Sequence, residues 1–139
     1  MTDQIAIREF DPHDMGLIYQ SWLRSYRFSD FARAIRVSIY FSEHRHVVDS
    51  LVNTAKIVCA VNPEDPTHIY GWACMDLSGQ LPIVHYVFIK PPYRGFGIAK
   101  LLLKGIQGRP FLFTHMTHII NRARVPGTYV PHLAFKGAA

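Results

Sequence analysis

The chain has 139 residues, of which 49% are hydrophobic and 18% charged, a composition that excludes a disordered chain and suits one domain (1–139) with a real core. Its net charge of +5 suits an anionic ligand and would equally suit nucleic acid, so charge alone does not choose between them. No apolar run is long enough to cross a membrane, and Met1-Thr2-Asp3-Gln4 is not a signal peptide. Cys59 and Cys74 fall in strand-like segments without metal spacing, which predicts two buried, reduced thiols in a cytoplasmic protein.

Ile5 to Phe10 reads as a first strand. Asp11-Pro12-His13-Asp14 then has the grammar of a helix start: an aspartate N-cap, proline at the first helical position and an acid three residues after the cap. Met15, Ile18, Tyr19, Trp22, Leu23 and Tyr26 follow as one apolar stripe at helical spacing. Phe31, Ile35 and Ile39 form a weaker helical pattern carrying Arg33 and Arg36, after which Ser42 is expected to cap a helix burying Val47, Val48, Leu51 and Val52.

Lys56–Val61 and Ile69–Leu77 are β-rich, and Asn62-Pro63-Glu64-Asp65-Pro66 between them reads as the turn of a hairpin. Ser78-Gly79-Gln80 turns the chain into a strand from Leu81 to Ile89. A helix from Gly97 to Gln107 is expected to end at Gly108-Arg109-Pro110, and Phe111-Leu112-Phe113-Thr114 to form a short strand. The tail beyond it carries no clear pattern. The expected order is β, α, α, β, β, β, α, β, with no repeat, low-complexity tract or linker.

The strand–turn–helix junction at Arg94-Gly95-Phe96-Gly97-Ile98-Ala99 is the most informative segment. The first amides of a helix have no intrahelical partner, and glycine lets an anion approach the backbone closely. A P-loop is excluded because Gly97 is followed by Ile98-Ala99 rather than Lys-Ser/Thr. A dinucleotide fingerprint is excluded because it needs three glycines and a downstream acid, and Phe111 to Thr117 has none. What remains is Arg/Gln-x-x-Gly-x-Gly/Ala, matched by Arg94, Gly97 and Ala99.

That motif, with Val87-Phe88-Ile89-Lys90-Pro91-Pro92-Tyr93 before it and Lys100-Leu101-Leu102 after it, resembles the central segment of the GNAT superfamily of acyl-CoA-dependent N-acyltransferases. By order of elements the resemblance runs from Ile5 to Phe113; its specific part is Val87 to Leu103. It implies an α/β fold: a mixed sheet with splayed parallel central strands, helices on both faces and a shortened C-terminal part. It also implies a function, transfer of an acyl group, acetyl foremost, from acetyl-CoA to an amine. The implied cofactor contacts are the backbone of Val87, Phe88 and Ile89 for the pantetheine and acyl carbonyl, and that of Arg94, Gly95, Phe96, Gly97, Ile98 and Ala99 for the pyrophosphate. Lys100 and Lys104 are placed to screen phosphates or simply to solvate a helix face. The chain's general look is also similar to small acetyltransferase-like proteins of bacteriophages, which would put it in a host cytoplasm or a virion. The rival reading is an inactive GNAT-fold binding or structural component of a larger assembly, or a self-associating one. A nucleic-acid binder ranks third, for Arg24, Arg27, Arg33 and Arg36 match no recognised motif.

The chain departs from the family where chemistry is concerned. The glutamate many members carry six residues before the position of Ile89 is Ile83 here, and the tail motif around the leaving-group tyrosine is not matched, since Asn121-Arg122-Ala123-Arg124 runs into Val125-Pro126-Gly127. Tyr129 lies near the expected place of that tyrosine. By strand alternation His85 shares a face with Ile83, Val87 and Ile89, so it is the candidate proton acceptor; the competing reading is a buried, hydrogen-bonded histidine. His115 and His118 would meet on a helix but have no third ligand, so no metal is expected. His44-Arg45-His46 reads as a solvated helix edge. Trp22, Tyr26 and Trp72 are either core or the wall of an acceptor pocket.

Overall fold

The structure, a computed structural model, describes residues 4–117 and 127–135. Six strands form one sheet in chain order: β1 (Ala6–Glu9), β2 (Lys56–Asn62), β3 (Asp65–Asp76), β4 (Ile83–Ile89), β5 (Phe111–Phe113) and β6 (Gly127–Tyr129). The first four are antiparallel neighbours, whereas β4–β5 and β5–β6 are parallel. Helices α1 (Met15–Arg27), α2 (Asp30–Arg33) and α3 (Val37–Thr54) lie between β1 and β2 in the chain, and α4 (Ile98–Leu102) joins β4 to β5.

The entry to α1 forms as its sequence dictates. Asp11 accepts from the His13 amide, Asp14 returns a bond to the Asp11 amide, and Arg8 grips both Asp14 oxygens at 2.8 and 2.9 Å. The Arg8 guanidinium holds the Asp14 carboxyl below the usual carboxylate range. The stripe on α1 then buries Ile18, Trp22, Leu23 and Tyr26 against one face of the sheet, together with Tyr40, Val48 and Leu51 of α3. The other face is covered by Ile98 and Leu102 of α4, with Leu103 and Ile106.

Three boundaries differ from the sequence expectation. Ser42 does not cap a helix: α3 begins five residues earlier and Ser42 sits inside it, its hydroxyl bonded back to the Ile39 carbonyl. The hairpin turn tightens to Pro63-Glu64, because the Asn62 side chain accepts from the Glu64 amide and Asp65 already pairs with Asn62. The helix expected to reach Gln107 stops at Leu102 and continues as a tighter turn, Lys104–Ile106, with Gly105 and the left-handed Gly108 (φ 77°) in that stretch.

Candidate functional site

Two features meet at the C-terminal ends of β4 and β5. The first is the turn that follows β4. Arg94 folds back so that its Nε donates to the Ile89 carbonyl at 2.9 Å, anchoring the turn to the strand that feeds it. Gly95 and Gly97 adopt left-handed conformations (φ 89° and 81°), and a β-carbon added to either would meet nothing within 4 Å. Glycine is therefore required by conformation, and its faces open onto free space. The first bond of α4 runs from the Leu101 amide to the Gly97 carbonyl, so the amides of Ile98, Ala99 and Lys100 have no carbonyl within the helix to bond. With α4 only five residues long, the helix dipole adds little here; the amides and the space above them make the cradle. Phe96 and Lys100 are exposed beside it, while Ile98 is buried beneath.

The second feature is a divergence of strands. β5 pairs with β4 only at Ile83 and Val84, and the last rung is the Thr114 amide donating to the Val84 carbonyl at 3.2 Å. β4 continues to Ile89 with β3 alone at its side. The Lys90 amide bonds the Tyr70 carbonyl, and Phe88 and Tyr86 face Trp72 and Cys74 in the same phase. Alternation then turns the backbone groups of Val87 and Ile89 toward the open edge. Gly71 sits hard against this stretch: a β-carbon there would come within 2.6 Å of the Phe88 carbonyl oxygen.

A bulge sits at the root of the divergence. Cys74 faces Tyr86 and the next residue, Met75, faces Val84, leaving His85 as the extra residue on β4. Val84 consequently packs in the same cluster as Val87 and Ile89. The simple alternation that would set His85 beside Val87 and Ile89 is broken here; its ring turns instead to Thr114, with Nδ1 at 3.0 Å from the hydroxyl. His85 is buried, and desolvation lowers its pKa to about 4, so it is neutral at pH 7.

Thr114 links His85 to two further histidines. Its Oγ1 lies 2.9 Å from His115 Nδ1, and His115 Nε2 lies 3.0 Å from His44 Nε2. His44 is not on a solvated helix edge; only Arg45 and His46 are exposed. Its ring stacks with those of Tyr26 and Tyr40, with centroids 5.1 and 5.4 Å away and planes within 27° and 11° of parallel. Burial lowers its pKa to about 4 and pushes that of His115 well below the ordinary value. On the α3 side a cavity of about 190 Å³ opens against these groups, walled by Tyr26, Tyr40, His44, Thr114, His115 and Tyr129, with Glu43 also lining it.

Of the residues expected from the sequence, Val87 to Ile89 close β4, with Val87 and Ile89 buried, and Arg94 to Lys100 make the turn and the start of α4. Tyr129 lies on β6, stacked on Phe113 at 5.4 Å, and walls the cavity. His85 sits one hydrogen bond behind that wall, through Thr114. Trp22 and Trp72 are core, fully buried and tilted against each other, while Tyr26 borders the cavity. His118 and Asn121 to Pro126 lie outside the described residues. His44, Thr114 and His115 were not read from the sequence as one group. The available signal was phase: His44 falls with Tyr40, Val47, Val48 and Leu51 on the buried stripe of α3. Both cysteines are free and buried. Among the described residues no group of three metal-ligating side chains converges, and no helix is long and apolar enough to cross a membrane.

Neither a protein-family model nor a curated protein matches the chain. Solved structures do. The apo form of YjaB from Escherichia coli is 29% identical over 73% of this chain and 63% of its own, with a TM-score of 0.51. A protein of Pyrococcus furiosus provisionally assigned as an acetyl transferase is 23% identical over 73% of this chain and 70% of its own, with a TM-score of 0.52. A GCN5-related glucosamine N-acetyltransferase region of a fungal multi-domain β-N-acetylglucosaminidase is 14% identical, covers 73% of this chain and 11% of that one, and has a TM-score of 0.50. The chain has the GNAT fold. Its mixed sheet, its β4–β5 divergence and its helices on both faces are those the resemblance implied. Within the GNAT fold the glycine turn and the strand edge stand at the C-terminal ends of parallel strands, where open α/β sheets place ligands. The match to YjaB spans less than two thirds of that protein.

Proposed function

We propose that the protein is an acyl-CoA-dependent N-acyltransferase that passes an acetyl group from acetyl-CoA to an amine. One observation carries this reading: β4 outruns β5, leaving a backbone edge at Val87 to Ile89 that leads directly into a left-handed glycine turn open to solvent. The residues present fit a nucleotide-thioester donor. The open edge offers backbone donors and acceptors to an extended amide-bearing arm, and the amides of Gly95 to Ala99 face space suited to a pyrophosphate. Arg94 braces the turn from below, and Lys100 adds positive charge at its margin. The donor supplies an activated carbonyl. The protein's share is to hold amine and carbonyl in line, to offer backbone N–H groups to the developing oxyanion, and to remove a proton. In this reading His85 receives the amine's proton and Tyr129 returns one to the departing thiolate, because Ile83 leaves β4 without a carboxylate at that position.

Isothermal titration tests it. Wild-type protein should bind acetyl-CoA and desulfo-CoA, and Gly97→Leu should weaken both at least tenfold while leaving the far-UV spectrum unchanged. The substituted side chain would occupy the open space and carry a left-handed strain of about 1–2 kcal/mol. Absence of heat with wild-type protein at millimolar acetyl-CoA would end the reading.

A further inference from the structure

Resting on the acyl-transfer reading, we infer that the cavity between α1, α3 and β6 admits a small primary amine on an apolar or aromatic body, and that its proton travels to His85 along the chain His44–His115–Thr114. The hydrogen-bond inventory sets the chemistry. An uncharged imidazole has one donor and one acceptor nitrogen, and a hydroxyl can donate and accept at once. If His44 donates from Nε2, His115 must accept at Nε2 and donate from Nδ1. Thr114 then accepts from His115 and donates to His85 Nδ1, and the His85 proton resides on Nε2. Reversing every bond gives a second satisfied arrangement. The two arrangements differ by one concerted shift of protons, so a proton can enter at one end and leave at the other without any ring holding charge for long.

Burial makes that property matter. Each ring lies where a lasting imidazolium is disfavoured, and the surroundings offer little to offset one. His44 stacks with Tyr26 and with Tyr40. His115 meets the edges of Trp22, Tyr26 and Tyr86. Among the described residues, Asp76 is the acidic group that acts on His85, and Glu43 the one that lines the cavity. A set of isolated buried bases would be poor acceptors; a wired set need only pass a proton on. Because Nε2 of His44 is committed to His115, its Nδ1 is the chain's outer terminus.

The cavity's character selects the acceptor. Its wall is aromatic and aliphatic, with Tyr26, Ile35, Ile39, Tyr40, Val47 and Tyr129 around the polar group formed by His44, Thr114 and His115. At about 190 Å³ it falls below the ~300–1,000 Å³ common for ligand pockets, which favours a compact amine over a peptide or a polyamine. In the reaction the amine lone pair forms the C–N bond and the C–S pair leaves with sulfur. The nitrogen's surplus proton enters at His44, His85 Nε2 gives up a proton to water, and the thiolate takes one from Tyr129, which water replenishes. One proton leaves nitrogen and one reaches sulfur, so the balance closes.

Two measurements test the inference, and they fail separately from the acyl-transfer reading. Long-range nitrogen–proton NMR correlations at pH 7 should show His44, His85 and His115 neutral, each in the single tautomer set by one direction of the chain. Thr114→Val should uncouple the rings and change the His85 and His115 tautomer populations. A charged ring in wild type, or tautomers indifferent to Thr114→Val, overturns the wire. With phenethylamine as acceptor, His44→Gln and Thr114→Val should lower kcat roughly 100-fold at an unchanged acetyl-CoA Kd, and Thr114→Ser should restore most of the rate. Spermidine and lysine should be poor acceptors. Wild type that binds acetyl-CoA but acetylates spermidine in preference to phenethylamine overturns the cavity assignment, as does one that acetylates neither. Wild type that binds no acetyl-CoA overturns the acyl-transfer reading instead, leaving the NMR result to stand by itself.

Discussion

The two faces of the sheet are made of different material. Against α4 the sheet presents mostly aliphatic side chains with Phe111, Phe113 and the buried Tyr70, and Val84, Val87 and Ile89 meet Ile98 and Leu102 there. Against α1 and α3 it presents Trp72 and Tyr86, which meet Trp22, Tyr26 and Tyr40, and polar atoms thread through this layer. Trp72 Nε1 donates to Ser21 Oγ at 2.9 Å, the Tyr40 hydroxyl donates to the Leu23 carbonyl at 2.6 Å, and the Tyr86 hydroxyl lies 2.6 Å from Ser25 Oγ. The aliphatic face can be held together by area and packing alone. The aromatic face must also accommodate buried polar groups, and leaving one unpaired, as Trp22 Nε1 is there among the described residues, costs about 1–3 kcal/mol. That constraint is accepted on the one face that borders the cavity.

The strongest way to break the comparison is to remove the centre of the aromatic face. Trp72 is fully buried, tilted against Trp22, Tyr86 and Phe88, and bonded to Ser21. Trp72→Ala should cost about 3–5 kcal/mol in urea-induced unfolding, from the lost transfer energy, the cavity left behind and the lost bond to Ser21. A loss below about 1 kcal/mol would mean that the two faces are not divided as described.

Acid sharpens the same contrast, since among the described residues the buried imidazoles all lie on the aromatic face. Both His44 and His85 have folded pKa values near 4, below the ordinary 6.5, because burial disfavours the charged ring. The unfolded chain therefore binds more protons between pH 6.5 and 4, and stability falls as pH falls through that window. Each ring can withdraw up to roughly 3 kcal/mol once the pH is below both values. Asp14, held below 3.8 by Arg8, adds its own loss only at lower pH. Unfolding free energies measured from pH 7 to 4 should decline steeply in wild type and less steeply in His44→Gln. A flat wild-type profile would show these rings to be charged or exposed.

How much of this was legible in the sequence follows from the range of the forces involved. The helix start at Asp11 to Asp14, the stripe on α1 and the glycine turn are local devices, and each formed where its residues stand. Ser42 failed as a cap because tertiary burial of Tyr40 and His44 extends α3 upstream past a local signal. The group around Thr114 was out of reach for a different reason. His44, His85 and Thr114–His115 lie on three elements far apart in the chain, and a bulge at His85 broke the alternation used to assign its face. Spacing rules describe one element at a time, so they report His44 as belonging to a buried stripe but cannot supply its partner.

The finest test bears on whether single polar pairs hold the aromatic face together. Ser25 lies one turn beyond Ser21 on α1, bonds the Ser21 carbonyl and meets the Tyr86 hydroxyl at 2.6 Å. Tyr86 is buried, and desolvation raises its pKa to about 12, so its hydroxyl stays protonated and needs an acceptor, which Ser25 Oγ supplies. Ser25→Ala removes that partner without opening space for a side chain to move, and should cost about 1 kcal/mol in unfolding free energy. The same substitution also frees a carbonyl on α1 from a competing bond, a gain that opposes the loss and keeps the net value small. Near-UV circular dichroism separates the two contributions, because Tyr86 stacks on Trp22 at 5.1 Å and any rotation of its ring alters that signal. A stability loss with a changed aromatic spectrum places the cost at Tyr86. Unchanged stability and spectrum would mean that this hydroxyl pair contributes nothing, and that area alone holds the aromatic face as it holds the other.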